Sequence, residues 1–183
     1  MQVSVLYRWS GITGIVAGVL NVIVELLPEW IGQPLDLLVN ILGLWVLAAL
    51  YLRQRAASGV PGWIGYVTQF FGMTVVIGFL FTKAFVLGSL DETQKAALLS
   101  GPAGIVTVIG LAITTVGAIL FGIASLRAGV FPKWAAFLLM LGFVIAPAGA
   151  AVSPMLKTAG ELILSAGLIG LSYALFSGAR EAS

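Results

Sequence analysis

The chain contains no cysteine and no histidine, and only 9% of its 183 residues are charged. Without cysteine there is no disulfide framework, no thiol nucleophile and no thiolate metal site. Without histidine there is no imidazole-zinc centre, no histidine-ligated haem and no Ser-His-Asp triad. The scarcity of charge excludes more. A water-soluble domain covers itself with charged side chains, usually about a quarter of its residues. Here 60% of residues are apolar and the mean hydropathy is +1.11, so the surface must be solvated by lipid. The formal charge of +2 and a pI near 9.2 do not point to nucleic acid, because the positive charges have a topological explanation.

Apolar runs long enough to cross ~30 Å of hydrocarbon at ~1.5 Å per residue are expected at about 11–27, 35–52, 63–88, 102–126, 134–153 and 158–177. The chain therefore reads as one all-α membrane domain over residues 1–183, a compact bundle of six transmembrane helices with short connectors. The first run has no small-residue cleavage site and reads as a helix rather than a removable signal. Turn chemistry separates the runs: Pro28 to Pro34, Gly59-Val60-Pro61-Gly62, Gly101-Pro102, Gly129 to Pro132 and Ser153-Pro154. Pro147, inside the fifth run, predicts a kink.

Basic residues orient the bundle, since they concentrate on the cytoplasmic side. With both termini cytoplasmic, Arg8, Arg53, Arg55, Arg127, Lys133 and Arg180 lie inside, and only Lys83, Lys95 and Lys157 lie towards the outside. Glu25, Glu29, Asp36, Asp91, Glu92 and Glu161 fall on the outer half, leaving Glu181 within. The expected location is the inner membrane of a cell. Trp9, Trp63 and Trp134 open the three outward-going helices at the cytoplasmic interface, where tryptophan is enriched. The loop 88–101 holds a predicted capping box, Ser89 with Glu92, and a glycine stop, Gly101. Residues 90–99 then form a short amphipathic helix on the outer surface, either a lid or a connector.

Polar residues within spans are expensive and therefore informative. They form seams. Gly14, Gly18, Asn21 and Glu25 share one face of the first helix by spacings of four, three and four. Asp36, Asn40 and Gly43 do so in the second, Gly65, Gln69, Gly72, Val76, Phe79 and Lys83 in the third, and Glu161, Ser165, Leu168 and Ser172 in the sixth. Glycine lets backbones approach and amides bond across helices, so these seams should face the interior. Sorted by depth, Asn21, Glu25, Asp36, Asn40, Gln69, Lys83 and Glu161 outline a polar funnel open to the outside and narrowing towards glycine-packed helices. Lys83 is placed to pair with Glu25, Asp36 or Glu161. These charges mark the outer headgroup level, pin helices together, or form a ligand or ion site. Thr107, Thr114, Thr115 and Ser125 read as hydroxyls bonded back to their own helix. Phe70, Phe71, Phe79, Phe81 and Phe85 either face lipid or line an apolar pocket. No Walker A loop, dinucleotide fingerprint or metal motif is present, and neither a cofactor nor a metal is expected.

Two cytoplasmic connectors echo each other. Leu52-Arg53 leads to Gly59-Val60-Pro61-Gly62-Trp63, and Leu126-Arg127 leads to Gly129-Val130-Phe131-Pro132-Lys133-Trp134. The second, an Arg-x-Gly-x-x-Pro-x-Trp turn followed by an apolar helix, resembles the turn of small uncharacterised multi-pass inner-membrane proteins of bacteria. That resemblance covers the connector and the helix after it. It implies a bacterial inner-membrane location and carries over no activity and no functional residue.

Three functions remain. The favoured one is a binding or structural module that holds a hydrophobic ligand (a lipid, quinone or carotenoid), or that associates with another membrane protein or with copies of itself. A small transporter or channel using the outer funnel is the alternative, although such devices usually place a titratable group near the midplane. A lipid-modifying enzyme using Glu25, Asp36 and Glu161 as acid and base is the third. Apart from membrane lipids and these candidates no partner is implied.

Overall fold

In the computed structural model, residues 3–180 are described, with side chains for 5–178. Among the described residues the chain is helical throughout, with no strand. The helices are α1 (Val3–Val24), α2 (Glu29–Phe85), α3 (Glu92–Ser100), α4 (Pro102–Ala128), α5 (Lys133–Val152) and α6 (Pro154–Arg180), with a single 3₁₀ turn at Leu87–Ser89. Five of these are long and apolar enough to cross a membrane. The sixth expected run is found inside α2, whose 57 residues contain one non-helical position, Gly59 at φ 56° and ψ −150°. The chain reverses there. Tyr51 and Tyr66 stack with ring centroids 4.5 Å apart, whereas fifteen residues of straight helix would separate them by ~22 Å. α2 is thus a hairpin of two arms, 29–58 and 60–85, and six apolar rods form the bundle.

Boundaries move from expectation in identifiable ways. Pro34 is absorbed within α2 instead of preceding it, so the second rod begins at Glu29, and the first begins earlier and stops at Val24. The cap of α3 is Asp91, not Ser89: Asp91 Oδ1 accepts from the Gln94 backbone N–H at 2.8 Å, and the Asp91 N–H donates to Gln94 Oε1 at 3.1 Å. Ser89 instead donates to the Val86 carbonyl within the 3₁₀ turn. α3 buries none of its residues and packs beside α4, so it is a connector.

The two echoing connectors share a backbone device. Gly59 and Gly129 are the only positive-φ residues among those described. Gly129 (φ 65°) ends α4 in the left-handed conformation and returns its N–H to the Ser125 carbonyl at 3.2 Å. Both positions demand glycine because a Cβ clashes with the backbone there.

Packing between rods is set by small residues. A methyl group at Gly65, Gly72 or Gly117 would overlap backbone atoms of Phe121, Thr114 or Gln69, which places α2's second arm and α4 backbone to backbone. α5 and α6 meet the same way: Gly142 faces Leu164, Gly149 faces Lys157, Gly160 faces Ala146 and Gly167 faces Leu139. α1 lays Gly11, Gly14 and Gly18 along Phe176, Ser172 and Ile169 of α6. For rods set in lipid, whose chains are as apolar as leucine, close packing of this kind takes the place of water exclusion. Leu47, Leu50, Met73, Phe121, Leu139, Leu168 and Leu171 fill the centre.

α5 runs through Pro147 without interruption. Proline has no N–H for the carbonyl four residues earlier, that of Phe143. The Thr115 hydroxyl of α4 shares its one proton between that carbonyl at 3.1 Å and the Leu111 carbonyl of its own helix at 3.0 Å. The orphaned acceptor is thereby satisfied from a neighbouring rod.

Three substitutions test this packing by thermal unfolding in detergent. Gly72→Leu should lose about 3 kcal/mol or more by forcing α2 from α4, whereas Gly78→Ala, with nothing within 4 Å of its Cβ, should gain about 0.5–1 kcal/mol of helix propensity. Thr115→Val should lose about 1 kcal/mol, and most of that loss should vanish in a Pro147→Ala background, where the ladder bond is restored.

Candidate functional site

Between its helices the bundle holds a partly open cavity of about 250 Å³ to which α1, both arms of α2, α4, α5 and α6 each contribute. Five of the seven polar residues singled out in the sequence line it: Asn21, Asp36, Asn40, Gln69 and Glu161. The other two, Glu25 and Lys83, sit outside its lining. Helix register orders the cavity by depth. Asp36 and Leu50, both in its wall, are fourteen residues apart in one helical arm, or ~21 Å. The polar groups gather at the Asp36 end. Around and below them Val39, Gly43, Leu47, Met73, Val76, Leu80, Leu139, Leu164 and Leu168 make an aliphatic wall in which Phe143 is the only aromatic ring.

At the polar end each acid has a neutral donor. Asn40 Nδ2 donates to Asp36 Oδ1 at 2.9 Å and also to the Asp36 carbonyl at 2.9 Å. Asn21, buried on α1, donates to Glu161 Oε2 at 3.1 Å and to Ser165 Oγ at 3.0 Å, tying α1 to α6. Glu25, just past the end of α1, is held by Lys157 Nζ on Oε1 and by the Thr158 hydroxyl on Oε2 at 3.1 Å. The sequence suggested Lys83 as the cation of this cluster, but Lys157 makes the ion pair. Lys83 is near enough to act electrostatically on Asp36 but is not within salt-bridge range of a described carboxylate. Lys157 lines the cavity, one residue before the sixth run that hydropathy places at 158–177. Its place four residues before Glu161, on the same helical face, is the signal that would have found it.

Deeper in, Gln69 is 1% exposed and its Oε1 has no hydrogen-bond partner. It lies in the cavity wall, beside Thr114, whose hydroxyl is already donated to the Gly110 carbonyl at 2.9 Å. Orphaned buried amides are rare in folded proteins, and this one borders empty space. Other polar groups the seams did not pick out serve to join helices at the opposite end. Gln54 Nε2 donates to Ser125 Oγ at 2.8 Å, which donates to the Phe121 carbonyl at 2.8 Å. Trp45 Nε1 donates to Ser10 Oγ at 2.9 Å. Arg53 lies 5.6 Å from the Tyr7 ring centroid and Arg8 6.0 Å from that of Phe176, so the arginines occupy the end of the bundle away from the acids. The phenylalanines of α2's second arm do not line the cavity; Phe70, Phe71, Phe81 and Phe85 are exposed on its outer face.

Among the described residues no three acidic side chains converge closely enough to hold a metal ion together. Comparison of the chain with protein-family models, with curated proteins and with solved structures finds no match.

The Glu25–Lys157 pair joins the end of α1 to the start of α6 with side chains 17% and 40% exposed. A double-mutant cycle of Glu25→Gln and Lys157→Met, read by thermal unfolding, should give a coupling of about 1 kcal/mol. A cycle of Lys83→Met with Asp36→Asn should give a smaller one.

Proposed function

We propose that this chain is an integral membrane protein of the inner membrane, with both termini cytoplasmic, that holds an elongated hydrophobic ligand inside its helical bundle. The observation that carries this reading is the cavity itself. Every spanning rod contributes to it, its wall is aliphatic, and a buried glutamine inside it lacks a partner. A close-packed bundle has no need of such a space, since empty volume forfeits dispersion contacts. Ligand sites share this pattern of apolar walls with a few convergent polar groups. The near-absence of aromatic lining favours an aliphatic chain over a quinone or a carotenoid. The segregation of arginines from acids supports the orientation.

Native mass spectrometry of the protein, extracted gently from its own membrane, tests the reading. Retained mass that fragments to a small amphiphile supports it, and a bare 19.1 kDa polypeptide in every preparation opposes it. Gly43→Leu sharpens the test. Gly43 faces only the Met73 methyl at 3.6 Å from where its Cβ would stand, so leucine there should fill the cavity and abolish retention while thermal stability is kept. Orientation is tested separately, and the absence of native cysteine makes the probe clean. Ser89→Cys should react with an impermeant maleimide applied outside, and Ala57→Cys only after permeabilisation.

A further inference from the structure

The unused bonding capacity of the cavity specifies the chemistry of its occupant. Asp36 and Glu161 each accept one side-chain hydrogen bond, on Oδ1 and Oε2, from a neutral asparagine. Neither is in an ion pair among the described residues. Asp36 Oδ2 and Glu161 Oε1 therefore remain open acceptors at the cavity's polar end. Glu25, Lys83 and Lys157 lie near enough to act electrostatically on Asp36, and Glu25 and Lys157 on Glu161, and a cation at that end would hold the two buried carboxyls in their ionised form. Of the two cations Lys157 is already engaged by Glu25, and Lys83 lies outside the lining. An anionic headgroup would displace that pair or face two carboxylates; a cationic one would meet free acceptors.

The far end adds a second, independent point. Gln69, fully buried and unbonded, lines the same cavity. Gly43 and Met73 lie at one level, so Gln69, a turn deeper than Met73, is level with Leu47. Eleven residues of helix from Asp36 to Leu47 put it ~16 Å below the acids. Between them the wall is aliphatic, with Leu47, Met73, Val76 and Leu168.

We propose that the cavity takes a single-chain amphipathic cation, its ammonium group at Asp36 and Glu161, its alkyl chain along the aliphatic wall, and a terminal hydroxyl or amide, where present, at Gln69. This rests on the ligand-holding reading above and names the class of ligand.

The test uses the full chain in nanodiscs of zwitterionic lipid, with empty nanodiscs as the blank. Radiolabelled dodecylammonium, dodecanoate and dodecanol are the probes. Dodecylammonium should be retained about tenfold more tightly than dodecanoate, the scale of one charge-assisted bond. In Asp36→Asn/Glu161→Gln, checked for folding by thermal unfolding, the preference for the ammonium over the alcohol should fall to about one. A 12-hydroxydodecylammonium probe should bind more tightly than dodecylammonium, and Gln69→Leu should erase that difference. Equal or tighter retention of dodecanoate, or an undiminished ammonium preference in the double variant, overturns the cation assignment. If dodecanol is retained by the native chain and lost in Gly43→Leu while no ammonium preference appears, the ligand-holding reading stands and only the cation falls. If no probe is retained above the blank, both fall.

Discussion

Backbone-to-backbone contact along glycine stripes is the constraint from which the rest of this bundle follows. In a hydrocarbon solvent, burying leucine between helices gives little, because leaving it exposed costs little. What remains is close approach, with the dispersion and backbone polarity that come with it. Gly65, Gly72 and Gly117 bring α2's second arm against α4, and Gly142, Gly149, Gly160 and Gly167 bring α5 against α6. These two pairs behave as tightly zipped units. α1 is strapped to α6 by its own glycines and by the Asn21 amide, which bridges to Glu161 and Ser165. The first arm of α2 is different. Its Gly43 meets only the tip of Met73, and it closes the bundle without filling it. The cavity lies between the zippered pairs and this arm.

That arrangement also explains the division of polar groups. At one end, Gln54 bonds Ser125 and Trp45 bonds Ser10 across helices, though Gln54 Oε1 keeps no partner, and none of the four lines the cavity. At the other, Asp36, Asn40, Asn21 and Glu161 bond one another side by side and still present open oxygens to the cavity. The same residue types thus act as fasteners where rods touch and as a lining where they do not. Gln69 belongs to both situations: its backbone is pressed against Gly117 while its side chain reaches no partner.

Much of this was readable from residue spacing, and the failures have physical causes. Periodicity found the six rods and the faces carrying Gly14, Gly18, Asn21, Ser165 and Ser172, because one-sided placement of small and polar residues has no other use in an apolar helix. It could not say that the α1 and α6 faces meet each other, since pairing is a property of three dimensions. The stripe Gly142, Gly149, Gly160 and Gly167 carries no polar residue, so spacing alone does not distinguish it from other glycines in apolar helices. Pro34 has the spacing of a break, yet α2 continues through it and forgoes the bond to the Trp30 carbonyl. Ser89 and Asp91 both offered a cap, and the aspartate two residues on won because the 3₁₀ turn had already claimed the serine. For the cavity, spacing singled out five of its polar lining residues, yet an empty volume leaves no mark in a sequence.

The bond from Thr115 to the Phe143 carbonyl has a mechanical consequence. It mends a gap that Pro147 opens in α5, and the mend works only while α4 stays alongside. Any movement that parts these two helices strands a carbonyl in hydrocarbon, so this seam resists shear more than its modest contact would suggest. Phe143 and Pro147 are also part of the cavity wall. The α4–α5 side of the wall is therefore fastened, and a guest that needs room finds it most readily where Gly43 of α2's first arm meets only the tip of Met73.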